Sequence, residues 1–120
     1  PLSGLASNVP VPLDTQVALN SPEQAVDGLI SAMGISDQAW GTPLGLNLPG
    51  MRLSIQEMRD ALEATAGPQA LDLLTYHRDP MIEAIVAGWP SHFESARASR
   101  LGFRSTESFE AVVQRFQTSK

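Results

Sequence analysis

Proline limits what this chain can become. Pro10, Pro12, Pro22, Pro43, Pro49, Pro68, Pro80 and Pro90 punctuate the sequence, so regular structure has to come in short pieces joined by turns. With 120 residues, 42% of them hydrophobic, the chain can hold one small domain with a modest core and cannot hold two.

Between those breaks the hydrophobic pattern names the elements. Val9-Pro10-Val11-Pro12-Leu13 fits an edge strand or extended segment, because its two prolines cannot donate to a ladder, and Gln16 to Leu19 makes a second extended piece. No hairpin signal joins the two, so each is expected to pair with something else. Ser21-Pro22-Glu23-Gln24 supplies a capping serine, proline at the first helical position and glutamine at the third. Val26, Leu29, Ile30 and Met33 then follow at helical spacing up to Gly34. Residues 35 to 43 read as a loop and Leu44 to Leu48 as a strand stopped by Pro49-Gly50. Ser54-Ile55-Gln56-Glu57 starts a second helix, ended by Gly67-Pro68, and Ala70 to Tyr76 reads as another strand. Asp79-Pro80 opens a helix carrying Ile82, Ile85, Val86 and Trp89. Ser91 to Glu94 opens one that ends at Gly102, and Ser105 or Thr106 caps a last one striped by Phe109, Val112, Val113 and Phe116. The order is α/β, with strands too few to form a sheet of their own.

Several kinds of chemistry are excluded. A net charge of −5 repels a polyanion, so no nucleic acid partner is expected. The absence of cysteine removes disulfides and thiolate chemistry and agrees with a cytoplasmic location, and no apolar run is long enough to span a bilayer, so no membrane association is expected. The nearest thing to a phosphate loop, Gly41 to Gly45, lacks the glycine spacing and strand-to-helix setting of a dinucleotide site. The single tyrosine, Tyr76, and the single lysine, Lys120, cannot form a Tyr-x-x-x-Lys base, and neither His77 nor His92 accompanies a recognisable nucleophile. No catalytic and no cofactor-binding residue is therefore expected in this chain. His77 and Asp79 lack a third metal ligand and read as a turn in which Asp79 caps the next helix, so no metal site is expected. Arg97, Arg100 and Arg104 read first as a solvated face and second as a surface toward an anion. Trp89 reads first as a core anchor and second as a pocket wall.

Two motifs carry a resemblance. Asn47-Leu48-Pro49-Gly50 followed by Ser54-Ile55-Gln56-Glu57-Met58 is similar to the strand, turn and helix of extended short-chain dehydrogenases, the NAD-dependent epimerase/dehydratase family. Phe93 to Ala98, Leu101-Gly102-Phe103 and Ser108-Phe109-Glu110 resemble that family's C-terminal tail, Asp-x-Ser-Lys-Ala, Leu-Gly-Trp and Ser-Leu-Glu. Leu19 to Val26 and Ile85 to Phe93 look most like the branch that includes D-erythronate dehydrogenase. Gly88-Trp89-Pro90-Ser91 lacks the arginine with which nucleotide-sugar epimerases contact pyrophosphate, whereas Val17, Ala18 and Leu19 stand where the dehydrogenase branch has aromatic or histidine residues.

The resemblance implies a Rossmann-type α/β enzyme of which residues 1–120 are a single C-terminal substrate-binding portion, mostly helices with a few short strands and incomplete alone. The start at Pro1 reads as a cut through a longer protein. The implied partners are an N-terminal Rossmann half that binds NAD and a small hydroxy or sugar acid such as D-erythronate, with a homodimer allowed. Asn20, Ser21 and Trp89 are the implied substrate-binding residues, orienting and enclosing the acid without making bonds. The competing expectations are a nucleotide-sugar epimerase/dehydratase portion and a stand-alone helical module that binds a partner protein.

Overall fold

The structure, a computed structural model, describes residues 1–93, 95–105 and 107–119. Ser54 shows how the sequence builds it. It ends a strand and begins a helix, its hydroxyl accepting from the Glu57 N–H at 3.1 Å while the Glu57 carboxylate accepts from the Ser54 N–H at 2.6 Å. The bond from the Ser54 N–H, with a smaller contribution from the Ser54 hydroxyl, holds the Glu57 carboxyl below the usual carboxylate range. The strand is β3 (Met51–Ser54) and the helix α3 (Ile55–Ala66). Two further N–H groups of the first turn, on Ile55 and Gln56, donate to the carbonyls of Thr15 and Leu13, which ties the helix start to the incoming chain.

β3 pairs antiparallel with β2 (Gln16–Leu19), with Ala18 opposite Arg52 and Leu19 opposite Met51. A second, two-residue pairing joins β1 (Ser7–Asn8) in parallel to β4 (Leu74–Thr75). Asn8 locks it: its carboxamide oxygen accepts from the His77 N–H and the Thr75 hydroxyl, and its amide donates to the His77 carbonyl. The remaining helices are α1 (Pro22–Met33), α2 (Asp37–Trp40), α4 (Pro80–Ala87), α5 (Ala96–Arg100) and α6 (Phe109–Thr118), with a 3₁₀ turn over Pro68–Leu73. Ser21, Ser36, Asp79 and Ser108 cap α1, α2, α4 and α6 through their side chains.

The core is small. α3 packs on α6, Ala61 of the one and Val113 of the other are buried, as are Val11 and Ala70, and Ala98 and Phe103 form a second cluster beside Trp40. Among the described residues no large side chain is fully buried. A hollow of about 400 Å³ separates Val9 and Val11 from Met58, Leu62, Phe109 and Val113. The helices α1 and α4 turn their apolar residues outward: Leu29 is 67% exposed, Met33 86% and Trp89 60%, and Val26, Ile30, Met81 and Ile85 are exposed with them.

Several expectations need correction. The strand expected at Leu44 to Leu48 lies at Met51–Ser54, because Pro43 and Pro49 flank the first stretch and Leu44 stays in solvent. Residues 35 to 43 are not wholly loop, since Ser36 accepts from the Ala39 N–H and opens α2. The strand expected over Ala70 to Tyr76 is a 3₁₀ turn with only Leu74–Thr75 extended. Val9 to Leu13 holds no strand: the Val9 N–H donates to the Thr75 carbonyl and the Pro10 carbonyl accepts from the Asp79 N–H, but Val11 lies in a bend and Leu13 in a turn closed by the Thr15 N–H on the Pro12 carbonyl. The helix expected from Ser91 begins at Ala96, and the Glu94 of that capping box lies outside the described residues. Ser108 caps the last helix in place of Ser105, because Ser108 stands three residues before the Ala111 N–H it accepts from, and Thr106 lies outside the described residues. Phe116, expected in the core, is half exposed at the end of α6. Trp89 is no core anchor, since nothing within the described residues covers that face of α4.

Candidate functional site

The β2–β3 ribbon and residues 91–93 and 95 enclose a groove of about 120 Å³, lined by Ala18, Gly50, Met51, Arg52, His92 and Phe93 among others. Each lining position follows from local structure. Ala18 and Arg52 face each other in register, so a small side chain stands opposite a long one. Gly50 precedes β3, and a Cβ there would come within 2.7 Å of the Leu19 carbonyl oxygen, so only glycine lets the two chains approach this closely. His92 and Phe93 lie in non-helical chain ahead of α5.

The sequence-predicted residues fall around this groove and do not line it. Asn20 is exposed at the end of β2, its carboxamide lying over Gly50. Ser21 is 2% exposed, and its hydroxyl accepts from the Gln24 N–H at 3.1 Å, which fixes the start of α1. Trp89 sits in the turn after α4, two residues before Ser91 of the groove. Arg52 and His92 were missed as lining residues. The signal for Arg52 was the alternation Met51-Arg52-Leu53-Ser54, masked by the stronger alternation from Leu44 to Leu48.

The arginines of the second half are not all solvated. Arg97 donates to the carbonyls of Gly45 and Trp40 and lies 5.7 Å from the Trp40 ring centroid, while Trp40 meets Phe103 edge to face at 6.3 Å. This clamp pins the loop 40–45 to α5. The Tyr76 hydroxyl accepts from Arg59 Nε at 3.1 Å, and Arg78 grips Glu83 through two bonds that hold the Glu83 carboxyl below its usual range. Asp79 accepts from the Met81 and Ile82 N–H groups, as a helix cap should, and among the described residues no three potential ligands gather for a metal. No described helix is long and apolar enough to cross a membrane.

A second, larger cavity of about 540 Å³ opens between α1 and α6, with Glu23, Asp27, Glu107, Arg104 and Arg115 on its walls. Arg115 pairs with Glu107 and, at 3.8 Å, with Glu23. What the described residues can do at either cavity is enclose and hydrogen-bond a ligand.

No family model matches the chain. It is 36% identical over 97% of its length to a D-erythronate dehydrogenase from Cupriavidus necator and 31% identical, again over 97%, to one from Haemophilus influenzae. It spans 36% and 37% of those two proteins. Among solved structures it superposes on a nucleoside-diphosphate-sugar epimerase from Agrobacterium tumefaciens with a TM-score of 0.88, 34% identity and coverage of 94% of this chain and 33% of that one. An L-threonine dehydrogenase from Clostridium difficile shares the fold, with a TM-score of 0.81 at 15% identity, over 98% of this chain and 36% of that one.

Proposed function

We propose, from this chain's membership of the extended short-chain dehydrogenase/reductase family, that residues 1–120 are the C-terminal substrate-binding portion of an NAD-dependent oxidoreductase acting on a small hydroxy or sugar acid such as D-erythronate. The observation that carries this reading is surface left without a partner. The radius of gyration is 16.8 Å, against about 14 Å for a compact domain of this length. The accessible surface is 7927 Å², against roughly 6,300 Å² for a folded monomer of this mass. The excess includes the apolar faces of α1 and α4, and a stand-alone interaction module would bring a core of its own, whereas among the described residues no large side chain is fully buried. On this reading those faces pack against the part of the protein that binds NAD. The residues here do not fit NAD, since they offer no glycine-rich cradle, and no step of the chemistry is assigned to them.

Asn20, Ser21 and Trp89 have supporting roles on this account. Asn20 presents its carboxamide at the open end of the ribbon, Ser21 holds the N-terminus of α1 in place behind it, and Trp89 covers the acid from the α4 side. A cytoplasmic setting fits the absence of cysteine. The stretch Gly88-Trp89-Pro90-Ser91, which carries no arginine to meet a pyrophosphate, favours the acid over the epimerase alternative.

In the intact protein, Asn20→Ala and Trp89→Ala are each expected to raise KM for the acid about 10-fold, the loss of one hydrogen bond or one packed wall, and to leave the Kd for NAD unchanged. Weakened NAD binding with an unchanged KM for the acid would place these residues on the cofactor side and contradict the reading.

A further inference from the structure

We propose that Arg52, assisted by His92, forms the subsite that holds the carboxylate of the small acid. This inference rests on the reading of the chain as the substrate side of a hydroxy-acid dehydrogenase.

The argument begins with charge. In a chain of net charge −5, arginines find partners readily, and Arg59, Arg78, Arg97 and Arg115 all do. Arg52 meets no carboxylate among the described residues and is exposed on β3, where it lines the groove. The other groups around it donate or are neutral. His92, Ser91 and Ser95 bring ring nitrogens and hydroxyls, while Met51 and Phe93 add apolar wall, and no described acidic side chain lines the space. A guanidinium presents its donors in a planar fork that matches both oxygens of a carboxylate, and apolar walls strengthen that pairing by excluding water.

Shape points the same way. Ala18 directly across from Arg52 and the bare Gly50 leave the floor open, so the acid can approach the guanidinium without meeting a cross-strand side chain. The larger cavity between α1 and α6 suits a carboxylate less well, since Glu23, Asp27 and Glu107 outnumber Arg104 and Arg115 on its walls and Arg115 is already paired with Glu107 and Glu23.

The test uses the intact protein and D-erythronate. Arg52→Ala is expected to raise KM about 30-fold, the usual worth of a lost charged hydrogen-bond pair, with kcat within about 3-fold of the wild type. Arg52→Lys should recover part of the loss, and His92→Gln should raise KM by a smaller factor. Added guanidinium at low millimolar concentration should lower the KM of Arg52→Ala, and neutral urea should not. That rescue distinguishes direct contact from a misfolded ribbon. An unchanged KM in Arg52→Ala, or a loss that guanidinium does not relieve, would overturn the assignment while leaving the enzyme reading intact. Failure of the wild type to oxidise any hydroxy acid would overturn both.

Discussion

Val113→Asp is expected to destabilise the intact protein by about 3–5 kcal/mol, enough to remove the folded α3–α6 pair in a protein of ordinary stability. Val113 is 5% exposed on the helix that packs against α3, and Arg59, which lines the hollow beside it, is already held by the Tyr76 hydroxyl and Asp60. A buried aspartate there must either carry an unpaired charge or take up a proton at cost. Gln114→Asp is the control. It puts the same charge one residue along on the exposed side of α6 and should change stability by no more than about 0.5 kcal/mol. Chemical unfolding of the two variants checks the difference. Equal effects would mean that α6 does not rest on α3 as the structure shows.

Gly50→Val is the second large effect, and it reaches the groove. The new Cβ would lie 2.7 Å from the Leu19 carbonyl oxygen and about as close as 3.2 Å to the Asn20 carboxamide. The nearest atom is backbone, so it cannot swing away as a side-chain tip would. Either the β2–β3 ribbon opens or the turn at Pro49-Gly50 shifts, at a cost of about 2–3 kcal/mol. Opening displaces Arg52 from Ala18 and moves Asn20, so the KM for the acid should rise by more than in Asn20→Ala alone. Gly45→Val is the matched control. Nothing lies within contact of a Cβ at that position, and the substitution should leave both stability and KM close to wild type. Unfolding curves and KM values for the two variants make the comparison, and a Gly50→Val protein that matches Gly45→Val would show that the close approach is not needed.

What could be read from the sequence was what is decided locally. Ser21, Ser54 and Asp79 stand at the starts of α1, α3 and α4 because a cap needs only an oxygen and an N–H two or three residues on. Strand positions were harder, because β1 and β4 are two residues each and exist only through the partner that a distant segment brings. Leu44 to Leu48 alternates better than Met51 to Ser54, yet only the second finds β2 to pair with. The groove was hidden for the same reason. Arg52 and His92 lie 40 residues apart, on a strand and on a connecting segment, and no spacing rule joins them. Trp89 and the α1 stripe misled in the other direction. Apolar residues at helical spacing imply a buried face, and among the described residues nothing covers it. Those exposed faces, with the arrangement of α1 behind Ser21, are what link the fold to the proposed function.

The central claim is that this chain serves a dehydrogenase of small hydroxy acids and not an epimerase of nucleotide sugars. The direct measurement gives the intact protein NAD with D-erythronate in one reaction and a nucleoside-diphosphate hexose in another, following NADH formation in the first and change of sugar configuration in the second. The account predicts saturable NADH formation that depends on the acid, with no change in the sugar. Epimerised sugar without acid-dependent NADH would contradict it.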